Sequence, residues 1–289
     1  MLRTSLLLLL LCLVGASSAQ EQKYSWELLE DSAHFTPRGS SYLNTIRGWY
    51  GIAPQEKTIQ PLQKNLLPLR EKMVYSIGWG NIKGGIATLE SNRSGDTLIL
   101  LGKAISNKFV SKFFRVRDYA YSVGSSEGLF PYFFEQSVSE DDFRENRWTL
   151  YDFARNTVYR DTGKKILKGS AKGFRHNYLS LLYALRVKNY TTGDSFTLPT
   201  YVHDKSYDIR FNILSKETIK TLGGTRECYK VQPVLVGDGE HGFNKDDQLY
   251  LWITADSQQV VVKIKAKARL GYITCTLISY SNGATTWNK

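Results

Sequence analysis

The chain has 289 residues, with 38 Lys+Arg against 27 Asp+Glu and a formal net charge of +11. That length can bury a full core and suits one all-β domain. Beyond the N-terminal leader no segment is apolar for long enough to cross a bilayer as a helix, which needs about 20 residues, so no transmembrane span is expected in the mature chain.

Residues 1–19 read as a secretory signal peptide. Arg3 gives the positive start, Leu6 to Val14 the apolar run, and Ser17 and Ala19 the small residues of a cleavage site. Export to the periplasm or cell envelope of a bacterium is therefore expected. A lipid anchor at Cys12 does not fit, because Leu11 precedes it where a small residue is required. With Arg3 removed the mature charge is +10, which in an exported protein points to anionic lipid or acidic glycan rather than nucleic acid. A dispersed charge that serves solubility is the plain alternative.

Residues 20–68 carry Pro37, Pro54, Pro61 and Pro68 and only a brief helical stretch at Tyr24 to Asp31, so they read as an irregular N-terminal extension. The pattern then changes. Met73, Tyr75, Ile77 and Trp79 alternate with Lys72, Val74, Ser76 and Gly78, followed by a turn at Gly80–Gly85. Further strand-like runs are Thr97–Ile105, Phe113–Val123, Phe130–Val138, Arg147–Phe153, Thr157–Arg160, Tyr207–Leu214, Arg226–Leu235, Leu249–Thr254, Val260–Leu270 and Ile273–Tyr280. Short turns at Ser94–Asp96, Gly163–Lys164, Gly223–Gly224 and Asp256–Gln259 make successive strands antiparallel neighbours. One segment, Asn177–Lys188, has helical spacing at Tyr178, Leu181, Leu182 and Leu185, with Asn177 as N-cap. The expected fold is mainly β: a curved antiparallel sheet or partly closed barrel over 69–281, one helix at about 177–188 covering a face or an open end, and a C-terminal tail at 282–289.

Two motifs match a pattern and lack its context. Gly237-Asp238-Gly239-Glu240-His241-Gly242 has dinucleotide-loop spacing, but a strand and not a helix follows it. Gly124-Ser125-Ser126-Glu127-Gly128 resembles a nucleophile elbow, yet it also leads into a strand and reads as a turn. His34, His176, His203 and His241 have no metal-ligand spacing with one another or with the cysteines, and Glu140, Asp141 and Asp142 read as a solvated loop. No catalytic residue, metal site or cofactor follows from these residues. Cys228 and Cys275 remain after the leader is removed, and export permits either a disulfide or two buried thiols.

The basic row in the penultimate strands carries the functional expectation. Val262, Ile264, Ala266, Ala268 and Leu270 alternate with Lys263, Lys265, Lys267 and Arg269, so four cations stand in one row about 7 Å apart. Burial of the aliphatic face fixes the register with the preceding strand: Leu251 opposite Ile264, Ile253 opposite Val262, Trp252 opposite Lys263, Tyr250 opposite Lys265. Tyr250, Trp252, Lys263, Lys265, Lys267 and Arg269 then form a basic, aromatic face suited to an anionic group, with the rings stacked on sugar or laid against acyl chains. A solvated sheet face held by cation–π pairs would look the same in sequence.

The chain also resembles a known family. Tyr75, Trp79, Gly80, Ile82, Gly85, Ala87 and Leu89 match its opening, followed in order by Lys112-Phe113-Phe114 with Asp118, the Leu181–Arg186 helix, Gly193-Asp194, Gly224-Thr225, Cys228 and Leu251-Trp252-Ile253-Thr254. Together these resemble the exported bacterial family catalogued as domain of unknown function 3108, from about Leu69 to Ile278. The resemblance implies a β-rich envelope protein and carries over no catalytic residue. Arg70 stands where the family pattern has glycine, and Cys275 has no counterpart in it. The functional expectation is a non-enzymatic envelope module that binds an anionic amphiphile or glycan. The alternatives are a scaffold that pairs with an envelope protein, or a hydrolase whose site the sequence does not reveal.

Overall fold

The computed structural model describes residues 67–161, 166–170, 173–202, 205–236, 248–268 and 271–288. Fifteen strands form one antiparallel sheet. They are β1 (Arg70–Trp79), β2 (Ile82–Ser94), β3 (Thr97–Ser106), β4 (Arg117–Ser125), β5 (Pro131–Glu140), β6 (Phe143–Asp152), β7 (Thr157–Asp161) and β8 (Ile166–Ser170). After helix α1 (Tyr178–Arg186) come β9 (Ser195–Val202), β10 (Lys205–Thr221), β11 (Gly224–Val236), β12 (Leu249–Thr254), β13 (Val261–Ala268), β14 (Gly271–Ser281) and β15 (Thr286–Asn288).

The sheet runs β8-β7-β6-β5-β4-β3-β2-β1-β14-β13-β12-β11-β10-β9, with β15 beside β14. Each half of the chain is a meander of hairpins, and the two meanders join where β1 pairs with β14 at the middle of the sheet. The alternation expected in β1 holds through Ile77: Met73, Tyr75 and Ile77 are buried, whereas Trp79 at the strand's end is exposed. The expected turn at Gly80–Gly85 is shorter, because the strand resumes at Ile82. The expected tail at 282–289 instead adds β15, which pairs Trp287 with Tyr280 and brings the two rings together at 4.5 Å in a tilted arrangement.

Helix α1 is buried in all nine of its residues. Leu179, Leu181, Leu182, Tyr183 and Leu185 belong to the same core as Met73, Leu89, Leu100, Ile209, Ile253 and Leu277 from across the sheet. The helix packs against β3, β4 and β9, so the sheet curls around it and it fills the concave side. A helix that is apolar all round is an enclosed one. Among the described residues, the side chains of α1 and of the sheet pack into one core on the concave side.

Local chemistry fixes this helix at both ends. The Asn177 side chain accepts from the Ser180 amide at 2.9 Å, while the Ser180 hydroxyl accepts from the Asn177 amide at 3.0 Å, a reciprocal capping box. Asn177 Nδ2 also donates to Ser122 Oγ on β4 at 2.7 Å. At the far end the Tyr190 hydroxyl donates to the Leu185 carbonyl at 2.7 Å, which satisfies one of the last helical acceptors. Arg186 there is fully buried. Its guanidinium binds the equally buried Glu71 carboxylate of β1 through both terminal nitrogens, one bond measuring 2.8 Å. It also donates to the Gln259 and Gln258 carbonyls at 3.0 and 3.1 Å.

The two edge strands share no backbone ladder, and the sheet is not closed. Aromatic side chains and the segment before α1 cover the gap. The His176 amide donates to the Pro199 carbonyl at 2.8 Å, and the Tyr201 amide donates to the His176 carbonyl at 2.9 Å. Phe130 stacks on Phe174 at 4.5 Å and on His176 at 4.7 Å, and Tyr151 meets Tyr201 edge-on at 6.2 Å.

The Gly124–Gly128 segment is the end of β4 and the turn that follows it toward β5, as its context in sequence indicated. Ser125 Oγ accepts from the Gly128 amide at 3.1 Å, a turn bond. Glycine is required at 124 because an added Cβ would lie 2.1 Å from the Phe130 carbonyl oxygen. Gly124→Ala is expected to lower folding stability by about 1–3 kcal/mol, the usual range for overpacking, read from the urea midpoint. An unchanged midpoint would show that β5 is not held that close.

Candidate functional site

Strand β12 keeps Leu249, Leu251 and Ile253 on the core side. In β13, Val262, Ile264 and Ala266 are buried, Lys263 and Lys265 are half-buried, and Lys267 is exposed. Leu251 pairs with Ile264, Trp252 with Lys263 and Tyr250 with Lys265, as burial of the aliphatic face requires. The expected pair of Ile253 with Val262 is replaced by Ile253 with Val261, because a bulge lies between Trp252 and Ile253. The bulge leaves Val260, Val261 and Val262 all buried in succession. Arg269, the fourth cation of the row, falls outside the described residues, as do His34, His203, His241 and the Gly237–Gly242 segment.

The two aromatics differ in role. Trp252 is 7% exposed. Lys263 lies 4.9 Å from its ring centre and Lys230 of β11 lies 5.6 Å away, so cations stand where a ligand ring would stack. Its indole N–H donates to Glu217 Oε2 of β10 at 2.9 Å. Tyr250 is half-buried, with Lys230 at 4.7 Å, and Lys265 sits 4.0 Å from the ring of Tyr272 on β14. The surface is thus a cationic sheet face braced by aromatic rings beneath it. Such contacts are worth about 0.5–1 kcal/mol each when exposed.

Glu217 is the acid of this face. The Trp252 indole, the Ser215 hydroxyl and Lys230 at 3.7 Å hold its carboxyl below the usual carboxylate range, against the opposing effect of partial burial. Among the described residues, no carboxylate lies within ion-pair distance of Lys263, Lys265 or Lys267. Lys230, Glu217 and Tyr272 were not foreseen. They reach the face from three other strands, through pairings that no short-range pattern encodes.

Of the two alternatives for the cysteines, the structure has free thiols. Cys228 pairs with Thr254 and shares the outer face with Trp252, whereas Cys275 pairs with Ile264 on the core side. Two strands separate them, about 14 Å along the sheet, and a disulfide needs Cα atoms within about 7 Å. Burial pushes the Cys228 thiol up to about 11 and the Cys275 thiol up to about 12, so both are poor nucleophiles.

His176 is buried against Phe130, and burial takes its imidazole down to about 3. Glu140 is buried at the end of β5, while Asp141 and Asp142 form the turn into β6. Among the described residues no group of three or more His, Cys, Asp or Glu side chains is placed to hold a metal ion. An open groove beside Glu71 is lined by Arg70, Lys72, Glu90, Ser91 and Asn92, with Lys72 and Glu90 already paired at 2.8 Å. No helix of the described residues is long and apolar enough to cross a membrane.

Comparison with known proteins yields one family model, and solved structures are among the matches. The family model described as "Protein of unknown function (DUF3108)" matches residues 74–278. A β-barrel-like protein of domain of unknown function DUF1849 from Brucella abortus is 8% identical, with a TM-score of 0.54 over 76% of this chain and all of that one. An exported protein with a YmcC-like fold from Bacteroides fragilis, its assignment given as putative, is 10% identical. Its TM-score is 0.27 over 76% of this chain and 96% of its own. No curated protein matches the chain. The first of the two structures shares the β-barrel-like fold.

Proposed function

The chain belongs to DUF3108, a family of proteins of unknown function, and within that frame we propose an exported cell-envelope protein that binds an anionic amphiphile or acidic glycan. Export rests on the leader at residues 1–19. The binding face is the outer side of β11–β14. The reading is one of binding and not of catalysis, since the described histidine is buried and neutral and both thiols are inert.

The observation that carries the proposal is the run Lys263, Lys265, Lys267: three lysines on one strand face, about 7 Å apart, with no carboxylate of the described residues within ion-pair distance of them. Their mutual repulsion is relieved by any polyvalent anion that spans two of them. Lys230 and Glu217 close one side, and Tyr250 and Tyr272 give the flanking apolar surface. Trp252 lies beneath as a brace for Lys230 and Lys263. Arg269 would extend the row by one position.

The test is the variant Lys263→Gln/Lys265→Gln/Lys267→Gln against a soluble short-chain phosphatidylglycerol and a sulfated oligosaccharide, followed by calorimetry. Each cation near an anionic surface contributes roughly fivefold in affinity, so the triple variant should bind about a hundredfold more weakly. The wild-type affinity should fall with added salt. Equal binding by variant and wild type, or none by the wild type, refutes the assignment.

A further inference from the structure

At one end of the curled sheet the hairpin tips display apolar side chains that the fold leaves exposed. The β1–β2 turn presents Trp79 at 46% exposure and Ile82 at 49%, with Ile86 on the strand behind. Beside it, the β3–β4 connection holds a 3-10 turn, Val110–Lys112, and presents Phe109 at 60% and Phe113 at 75%, with Phe114 adjoining. Phe109 and Phe113 meet edge-on at 5.8 Å. Monomeric proteins rarely leave large apolar side chains clustered in this way without a partner surface.

This exposure is built and not slack. The Asn107 amide donates to the Gly84 carbonyl at 2.9 Å, and its side-chain amide bonds the Lys83 carbonyl, which ties the two tips together. Asn107 Oδ1 accepts from the Val110 amide at 2.9 Å, and Ser106 and Ser111 share a hydroxyl bond of 2.6 Å. At the base, a Cβ on Gly85 would sit 2.3 Å from the Ile105 carbonyl oxygen, so β2 and β3 are in close contact there. A loop this well fixed keeps Phe113 outward.

The charge carried by the two tips themselves has one sign. Residues 79–86 and 107–115 contain Lys83, Lys108, Lys112 and Arg115 and no carboxylate. Lys267 opposes Tyr272, whose carbonyl accepts from the Gly80 amide at 3.4 Å, so the β13 row ends beside the same tips. The Asp141–Asp142 turn borders the patch on its far side, where Asp141 caps the Arg115 amide.

We propose that these two tips insert into the interface of an anionic lipid bilayer: Trp79, Ile82, Phe109 and Phe113 enter the headgroup region, while Lys83, Lys108 and Lys112 contact lipid phosphates. Aromatic rings with a polar collar suit that region. Anionic lipid attracts a basic rim, whereas the cores of protein–protein interfaces are depleted in lysine. This surface adjoins the end of the β13 face but uses other residues, and a protein docked by both would present the row to lipid headgroups.

Co-sedimentation of the purified protein with vesicles tests it. Binding is expected to mixed phosphatidylglycerol–phosphatidylcholine vesicles and not to phosphatidylcholine alone. Phe109→Ser/Phe113→Ser should lower the partition at least tenfold, and Lys108→Gln/Lys112→Gln about 25-fold at low salt. Phe113→Trp should gain emission that is quenched by brominated phosphatidylglycerol. The triple glutamine variant of the β13 row should keep that quenching even where it loses the soluble ligands, so the two readings fail separately. Unchanged sedimentation of the double serine variant, absence of wild-type binding to the anionic vesicles, or no added quenching at Trp in position 113 overturns the proposal.

Discussion

Replacing Arg186 with methionine should cost about 3–5 kcal/mol of folding stability, the range for removing one partner of a buried ion pair. Four bonds leave this guanidinium: two to the Glu71 carboxylate, one to the Gln259 carbonyl and one to the Gln258 carbonyl. They tie the end of α1 to β1 and to the β12–β13 turn, segments far apart in the chain. Gln259 is held there at φ 46, a left-handed conformation that side chains other than glycine seldom adopt. Without Arg186 the Glu71 carboxylate is left in the core with no cation. Arg186→Met combined with Glu71→Leu removes both charges and should recover at least half of the loss, because an apolar pair of similar volume is often as stable as the ion pair. Urea denaturation of the two singles and the double gives the coupling. A loss under about 1 kcal/mol for Arg186→Met would mean that water reaches the pair.

Acid should weaken the protein through His176. Burial takes its pKa down to about 3 from an ordinary 6.5, with the nearby Lys188 acting in the same direction and a backbone hydrogen bond at Leu129 opposing. The folded state therefore holds a neutral ring while the unfolded chain takes up a proton below about 6.5. Its contribution is fully present above that value and declines as the pH falls toward 3, by about 1.4 kcal/mol per pH unit, or roughly 3 kcal/mol at pH 4.5. In His176→Gln the stacking on Phe130 is also lost, so stability drops at every pH. The diagnostic is the slope: between pH 6.5 and 4.5 the variant should lose about one proton's worth less stability than the wild type. Parallel curves would place the imidazole in contact with solvent.

Period-two alternation made most of the strands legible, and burial of one face made the β12–β13 register legible at Leu251, Trp252 and Tyr250. What alternation cannot carry is a bulge. In β10, Ile209, Phe211 and Ile213 face the core, but the irregularity between Ile213 and Ser215 reverses the parity, so Glu217 points outward to Trp252. Counting in twos would have placed that carboxylate inside. The Phe113-Phe114 pair misled for a different reason: apolar residues read as the start of a strand, while β4 begins at Arg117 and these rings lie in a loop. Strand β8, ILKGS, was passed over because its alternation is too weak to register. Helix α1 was located almost to the residue, but its place inside the curl was not drawn from the sequence. The signal was present in Leu179, Tyr183 and Ala184, which make its second face as apolar as its first.

Of the candidate site, the face and its cations were legible because they come from one hairpin. The covering of Trp252 by Lys230, the Glu217 acceptor and the placing of Cys228 and Cys275 on opposite faces depend on which distant strands adjoin, and a linear pattern does not specify that. Local rules set each hairpin, while the joint between β1 and β14 pairs strands far apart in the chain.

The joint between β1 and β14 has a bearing on how such a chain is made. The first long strand and the last one are partners at the middle of the sheet, roughly two hundred residues apart in sequence. Synthesis delivers β1 early, yet its partner emerges only after all the intervening strands. Until then Met73, Tyr75 and Ile77 line an open edge, the kind of surface that mispairs between neighbouring chains. Slow emergence of residues 271–281 would thus prolong the sticky half-assembled stage, and a holding factor would matter most during that interval.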